Sequence, residues 1–308
     1  MSDRSTGLMI AVVAVFSLAP VPGAGQTLPP SRDAVAPTAP KAAAGAWIPP
    51  RTPDGQPDIQ GTWNQRDNIT TYSLQAGAED RAVHIGITGQ APATGQPIKD
   101  PPNKIPYLPW AEEKARFLYE EHRRPTSPEY LDPVTRGFLE GVPRINLQGG
   151  FQILQPPGQV VLVHEFSHTY RVIPLDGRPH LNPRMKLWMG DSRGHWEGNT
   201  LVVDVTNHND QTWFDIVGSF HSDALHVVER WTMANADRID YEVTIEDAKV
   251  FTRPWKMALT INRNKQPGYE IWEDSRLEGE RDVDHILLTG KRDKEAGRTG
   301  IHEHRRPR

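Results

Sequence analysis

Apolar and polar residues alternate with a period of two along much of the chain beyond Phe151, the spacing of half-buried strands. Gln159–Ile173 (QVVLVHEFSHTYRVI), rich in β-branched and aromatic residues after Pro156-Pro157-Gly158, predicts one long strand. Lys186–Trp196 and Thr200–Thr206 flank the turn Glu197-Gly198-Asn199 and predict a hairpin. Leu201, Val203 and Val205 share one face of its second strand, and Val202, Asp204 and Thr206 the other. Ala224–Met233 and Arg238–Asp247 predict a second hairpin, with His226, Val228 and Arg230 on one face and Val227, Glu229 and Trp231 on the other. Lys256–Asn262 with Tyr269–Asp274 predicts a further pair, and Ile286–Gly290 a last strand. Six to eight antiparallel strands with short turns leave two exposed edges, and closing a barrel removes them. The expected fold is therefore mainly β, an antiparallel meander closed into a barrel, with a β-sandwich as the alternative.

Helical spacing occurs once, over Trp110–His122, where Ala111, Lys114, Ala115, Leu118 and His122 recur on one face after Pro109. Residues 1–25 predict a secretory signal peptide: Arg4, the apolar run Leu8–Ala19, then Gly23 and Gly25 as small residues before a cleavage point. That run of about 12 residues is too short to span a bilayer, which needs ~20. Residues 26–57 read as a Pro/Ala-rich mobile arm. Arg51–Trp63 closes a turn at Asp54-Gly55 and enters a short strand, and residues 58–150 read as an extended segment with that short strand and a helix near 110–122 packing on the barrel. The barrel is expected over 151–290, and 291–308 as a charged disordered tail.

Composition narrows the chemistry. The 308 residues carry a formal net charge of −4 with both signs mixed, which offers no basic footprint for nucleic acid. There is no cysteine, so disulfides, thiolate metal sites, Cys nucleophiles and lipid attachment at cysteine are excluded. The protein is expected in the periplasm or secreted, with no membrane span once the signal is removed.

Two motif matches are misleading. His164-Glu165-Phe166-Ser167-His168 fits HExxH, but zinc binding through it requires a helix. In a strand its two histidines would stand ~13 Å apart, as part of a polar stripe with Phe166 and Tyr170. Gly190-Asp191-Ser192-Arg193-Gly194 fits GxSxG, but a nucleophile elbow is followed by a helix, and here a hairpin follows. A Gly-bounded turn whose Asp191 and Ser192 bond backbone groups is expected instead.

Candidate chemistry concentrates in one window. Seven of the 12 histidines lie between His164 and His226, together with Asp176, Asp191, Asp204, Asp210, Asp215 and Asp223 and with Trp188, Trp196 and Trp213, and Glu229 and Trp231 follow within five residues. A neutral imidazole beside a carboxylate acts as acid or base near neutral pH. The catalytic candidates are His226, His221, Asp204 and Glu229, then His168 and His195. The expected ligand-binding residues are Arg171, Tyr170, Asp191, Trp188, Trp196, Trp213 and Arg230, in an aromatic-lined pocket. No cofactor is expected. A metal held by His and carboxylate ligands is compatible with the composition, with no ligand set assignable.

RTPDGQPDIQGTW, LPW, GVPR, VLVHEFSHTYRVIPLDGRPH, WMGDSRGHWEGNTLVVDVTNHNDQTWFD, HSDALHVVERW and YEVTIEDAKVFTRPW, spanning Arg51 to Trp255, resemble a large family of exported bacterial proteins of unassigned function. That resemblance implies export and no particular activity. The family more often carries Tyr and Asn at the first and fourth positions of HEFSH, which argues further against zinc there. The Trp-Glu-Gly-Asn-Thr-Leu hairpin and ordered meander also resemble lipocalin-like barrels, a fold that hosts both binders and enzymes. The expected function is an exported barrel enzyme acting on a small organic molecule by acid–base chemistry, as lyase, isomerase or hydrolase. The alternative is a non-catalytic periplasmic binding protein, and an envelope interaction protein tethered by the arm is a third reading.

Overall fold

The computed structural model describes residues 47–64, 73–75, 98, 104–122, 124–274 and 281–297. The signal segment, most of the expected arm and the end of the tail lie outside them. Nine strands form a single antiparallel sheet: β1 (Gly61–Asn64), β2 (Gly150–Leu154), β3 (Gln159–His164), β4 (Tyr170–Pro174), β5 (Asp191–Glu197), β6 (Thr200–Thr206), β7 (His226–Asn235), β8 (Arg238–Glu246) and β9 (Trp255–Arg263). Their order is β4-β3-β2-β1-β9-β8-β7-β6-β5. The chain meanders except at β1, which sits between β2 and β9.

The sheet curls until its two edges meet. A Cβ on Gly194 of β5 would lie 2.7 Å from Ile173 of β4 and 2.8 Å from Leu175 just beyond it. Arg171 of β4 also reaches across to Ser192 of β5, its Nε donating to Oγ at 2.9 Å. The result is a nearly closed barrel joined at that seam by side chains.

Alternation sets the inside and the outside. Burial follows iBiBiB along β3 and iBiBiBiBie along β7, as half-buried strands require. The interior holds Trp63, Phe151, Leu162, Val203, Val227, Trp231, Ile239, Tyr241, Val243, Trp255 and Met257, all at most 1% exposed. The two ends differ. Tight turns at 155–158, 198–199 and 236–237 close one end, while the other carries the long connections 207–225 and 247–254, the reversal at 165–169 and the segment from 124 to 149. Gly198 at φ 62° supplies the left-handed residue that the β5–β6 hairpin turn needs.

Among the described residues two α-helices accompany the barrel. Helix α1 (Pro109–Glu121) matches the helix expected near 110–122, with Pro at its start and Ala111 and Leu118 buried. Helix α2 (Asp282–Glu295) corrects the expectation of a strand at Ile286–Gly290 and of a disordered tail from 291. Asp282 and Asp284 in its first turn and Arg292 and Lys294 in its last complement the helix dipole. Gly290 is required because a Cβ there would stand 2.2 Å from the Pro125 carbonyl oxygen.

Three other expectations are corrected. Gln159–Ile173 is two strands: it reverses at 165–169, so that Val163 pairs with Tyr170 and Gln159 with Pro174. The reversal carries neither Gly nor Pro. It turns on left-handed Ser167 (φ 57°) and His168 (φ 35°), a conformation uncommon for side-chain-bearing residues and without a compositional signal. The expected polar stripe His164–Phe166–His168–Tyr170 therefore does not exist. Lys186–Gly190 is loop, and β5 begins at Asp191. Tyr269–Asp274 forms no strand, and β9 pairs with β8 and β1 instead.

Candidate functional site

The expected catalytic cluster is divided by the sheet. Asp204 and His226 lie on the outer face, Glu229 lies inside the barrel, His221 is buried in the 207–225 loop, and His168 sits on the 165–169 reversal. A period of two separates His226 from Glu229, three residues on, so the two cannot share a face of β7.

On the outer face a chain of hydrogen bonds runs through His180, a loop residue not among the sequence candidates. Its Nδ1 meets Asp191 Oδ2 at 2.8 Å and its Nε2 meets Asp204 Oδ1 at 2.7 Å. Asp204 Oδ2 is 2.9 Å from His226 Nε2, and His226 Nδ1 is 3.3 Å from Glu246. Partial burial opposes protonation of His226, but the Asp204 and Glu246 carboxylates outweigh it and raise its pKa. Asp191 also accepts from Leu181 N at 3.0 Å and from Arg193 at 2.7 Å, so this chain pins the 175–190 loop to β5 and β6. His195 and Arg230 form exposed pairs with Glu197 on the same side. Tyr170 is 69% exposed, facing outward.

Inside the barrel, toward the loop-covered end, Arg171 and Glu229 form a bidentate buried pair. Tyr241 Oη donates to Glu229 Oε1 at 2.6 Å. Asn146, in a buried turn Arg144–Leu147, donates from Nδ2 to Glu229 at 2.8 Å and to Tyr241 at 3.0 Å. His164 packs against Phe151 at 5.3 Å, and burial together with Arg171 pushes its pKa down to about 3. These bonds consume Glu229 and Arg171 in holding the loop segment to the barrel, so neither is presented to a ligand.

His221 is also occupied. Its Nδ1 donates to the Ser222 carbonyl at 2.9 Å, and Thr212 donates to its Nε2 at 2.6 Å. Burial lowers its pKa and keeps the ring neutral. Trp213 is buried in the same loop, its carbonyl turned to Arg144. Trp196 points from β5 toward the interior, opposite Leu201. Gly190-Asp191-Ser192-Arg193-Gly194 leads from loop into strand β5. Ser192 accepts from Arg171, where a backbone partner was expected.

The 165–169 reversal borders a cavity of about 140 Å³ lined by Val134, Gly137, Phe138, Leu139, Ser167, His168 and Asp274. Trp188 stacks on Phe138 at 4.7 Å with the rings 8° apart, buttressing that wall. Ser167 Oγ donates to Glu140 Oε2 at 3.2 Å. The Glu140 carboxyl is 1% exposed, and its Oε1 has no hydrogen-bond partner among the described residues. Burial raises its pKa to about 7, against the opposing field of Arg144. His168 Nδ1 lies 3.2 Å from the Asp274 carbonyl, which makes Nδ1 the donor and leaves the lone pair of the neutral ring on Nε2. Glu165 anchors the reversal, accepting from Gly150 N at 2.8 Å and from the Tyr269 hydroxyl. Two consecutive left-handed residues at a cavity bordered by titratable groups are the kind of strain that functional sites hold.

Of the sequence candidates, His168 lines this cavity and Trp188 supports its wall. Glu140 and His180 were missed. Glu140 sits in GFLEGVPR, a stretch with no periodicity to suggest burial. His180 was inside the histidine-dense window, but nothing in a loop sequence foretells its partners.

Among the described residues no group of three His, Asp or Glu side chains is arranged to hold a metal ion, and no helix is long and apolar enough to cross a membrane. No family profile, no curated protein and no solved structure matches the chain. The fold and this site together define a nearly closed nine-stranded β-barrel with a small acid-bearing cavity at its loop-covered end.

Proposed function

We propose that the protein is an exported barrel enzyme that acts on a small organic molecule by acid–base chemistry in the cavity beside the 165–169 reversal. The observation that carries this reading is the hydrogen bond from the cavity-lining Ser167 hydroxyl to the buried Glu140 carboxyl. A carboxyl that titrates near neutrality gives and takes a proton with little driving-force penalty. Ser167 touches the substrate and passes the proton, and Glu140, behind it, positions and polarises that hydroxyl. His168 Nε2 supplies a second basic atom at the same wall. The cavity volume resembles the ~150 Å³ space that holds a benzene ring, so the substrate is of about that size. Val134, Phe138 and Leu139 accept its apolar part.

The test is turnover by the mature chain of a panel of small esters, lactones, enolisable ketones and β-substituted carbonyl compounds, across pH 5–9. At least one class should react, with a rate that changes around pH 7. Glu140→Gln should remove that pH step, and Glu140→Gln and Ser167→Ala should each lower the rate by ~10²-fold or more. His226→Ala should leave the rate within about twofold. A ligand that binds yet is returned unchanged would replace the enzyme with the binding-protein reading. Turnover indifferent to Glu140 and Ser167 would place the chemistry elsewhere.

A further inference from the structure

A second cavity, of about 380 Å³, opens where α1 crosses the loop-covered end of the barrel. Its walls are Lys104, Glu112 and Arg116 with the rings of Tyr107 and Tyr119, and its floor includes Val217 and Ser219 of the long β6–β7 connection. It shares no lining residue with the cavity at Ser167. Its volume falls within the ~300–1,000 Å³ of small-molecule sites.

The charges at its rim are unbalanced and available. Lys104 and Arg116 are exposed, and neither forms an ion pair or a side-chain hydrogen bond among the described residues. Glu112 is the single carboxylate on the lining, which leaves a net positive rim. The floor is rigid and polar. Ser219 donates from Oγ to Asp215 at 2.6 Å, and Asp215 also accepts from Ser219 N at 2.9 Å, Val217 N at 3.2 Å and Leu74 N at 3.0 Å. Those four bonds fix the 215–219 loop, so the floor is built before any ligand arrives. Tyr107 packs on Phe220 at 5.9 Å and on Phe251 at 5.5 Å, which fixes its ring at the edge of the cavity. Lys114 lies over the outer side of Phe220, 4.2 Å from the ring centroid, and is not on the lining.

We propose that this cavity binds a small organic carboxylate with a flat apolar body. The Arg116 guanidinium meets the carboxylate with paired N–H donors and Lys104 adds a point charge, a division of labour that suits the two side chains. The body lies between the Tyr107 and Tyr119 rings, over Ala115, Ile105 and Val217. A bare inorganic anion would leave those apolar walls wet, and a neutral molecule would leave both cations unpaired.

Isothermal titration of the full chain with 2-naphthoate, 2-naphthamide and inorganic phosphate tests this. Naphthoate should bind with a dissociation constant below about 1 mM, and the isosteric neutral amide at least tenfold more weakly, since it forfeits the charge-assisted hydrogen bonds to Arg116 and Lys104. Phosphate should bind at least tenfold more weakly than naphthoate. Lys104→Ala/Arg116→Ala should lose the naphthoate affinity by tenfold or more with an unchanged melting temperature, because both side chains are exposed. Glu112→Gln should tighten it. Equal affinity for acid and amide, phosphate as tight as naphthoate, an unaffected double variant, or no binding at all would each overturn the proposal.

Discussion

Glu140 concentrates the residue-scale physics. A buried carboxyl without a full set of donors prefers its proton, so its pKa rises from 4.5 to about 7. The folded state therefore holds a proton that the unfolded chain has released between those values, and stability declines as pH rises through that window. The loss amounts to about 3 kcal/mol at most. Glu140→Gln keeps the shape and cannot ionise. Urea unfolding at a series of pH values should show the variant flat between pH 4.5 and 7 relative to wild type, and more stable at pH 8. Parallel curves would mean that Glu140 is ionised in the fold. None of this was legible in the sequence, because burial is a property of the loops that cover position 140. His168 was legible as a histidine in a dense window. Its orientation depends on the Ser167–His168 reversal, which replaced an expected strand and had no Gly or Pro to announce it.

At the element scale, strands β5 to β8 were readable because alternation is enforced by burying one face. The same alternation, fully applied, separates Asp204 and His226 from Glu229, and it divides the expected site. Each half has its own structural task. The outer chain of His180, Asp204 and His226 holds the 175–190 loop. Asp204→Asn should increase hydrogen exchange in residues 180–190 at pH 6 while the β7 and β8 amides keep their protection; uniform loosening would deny the chain that local role. The inner Arg171–Glu229 pair ties β4 to β7. Arg171→Met leaves the Glu229 charge without its partner and should cost about 3–5 kcal/mol. Arg171→Met/Glu229→Leu should recover part of that loss, and full additivity would contradict direct pairing. Helix α2 was misread because its apolar Ile286-Leu287-Leu288 run is too short to show helical spacing, and its end charges settle the matter only when the whole segment is considered.

For the whole molecule, barrel closure was inferred from the need to remove sheet edges, and the curled sheet of nine strands meets it. The closure is made by side chains at the β4–β5 seam and is tight at Gly194, where a Cβ would press on the ends of the Ile173 and Leu175 side chains. Gly194→Val should force Ile173 and Leu175 away, lower stability by about 1–3 kcal/mol and expose the β4 and β5 amides first. Unfolding that begins elsewhere would show that the seam is not the weak line. Long connections gather at one end, and both cavities lie there. A rigid barrel bearing variable loops is the usual division between scaffold and site.

The central claim is an acid–base group poised at the small cavity, and it is tested most directly without a substrate. The side-chain carboxyl carbon of Glu140 is followed by ¹³C NMR from pH 3 to 10, its resonance assigned by its absence in Glu140→Gln. A midpoint near 7, displaced when Ser167 is replaced by Ala, is the expected result. A midpoint near 4.5, unmoved by Ser167, would mean that Glu140 is an ordinary ionised carboxylate and that the proposed chemistry does not reside at this cavity.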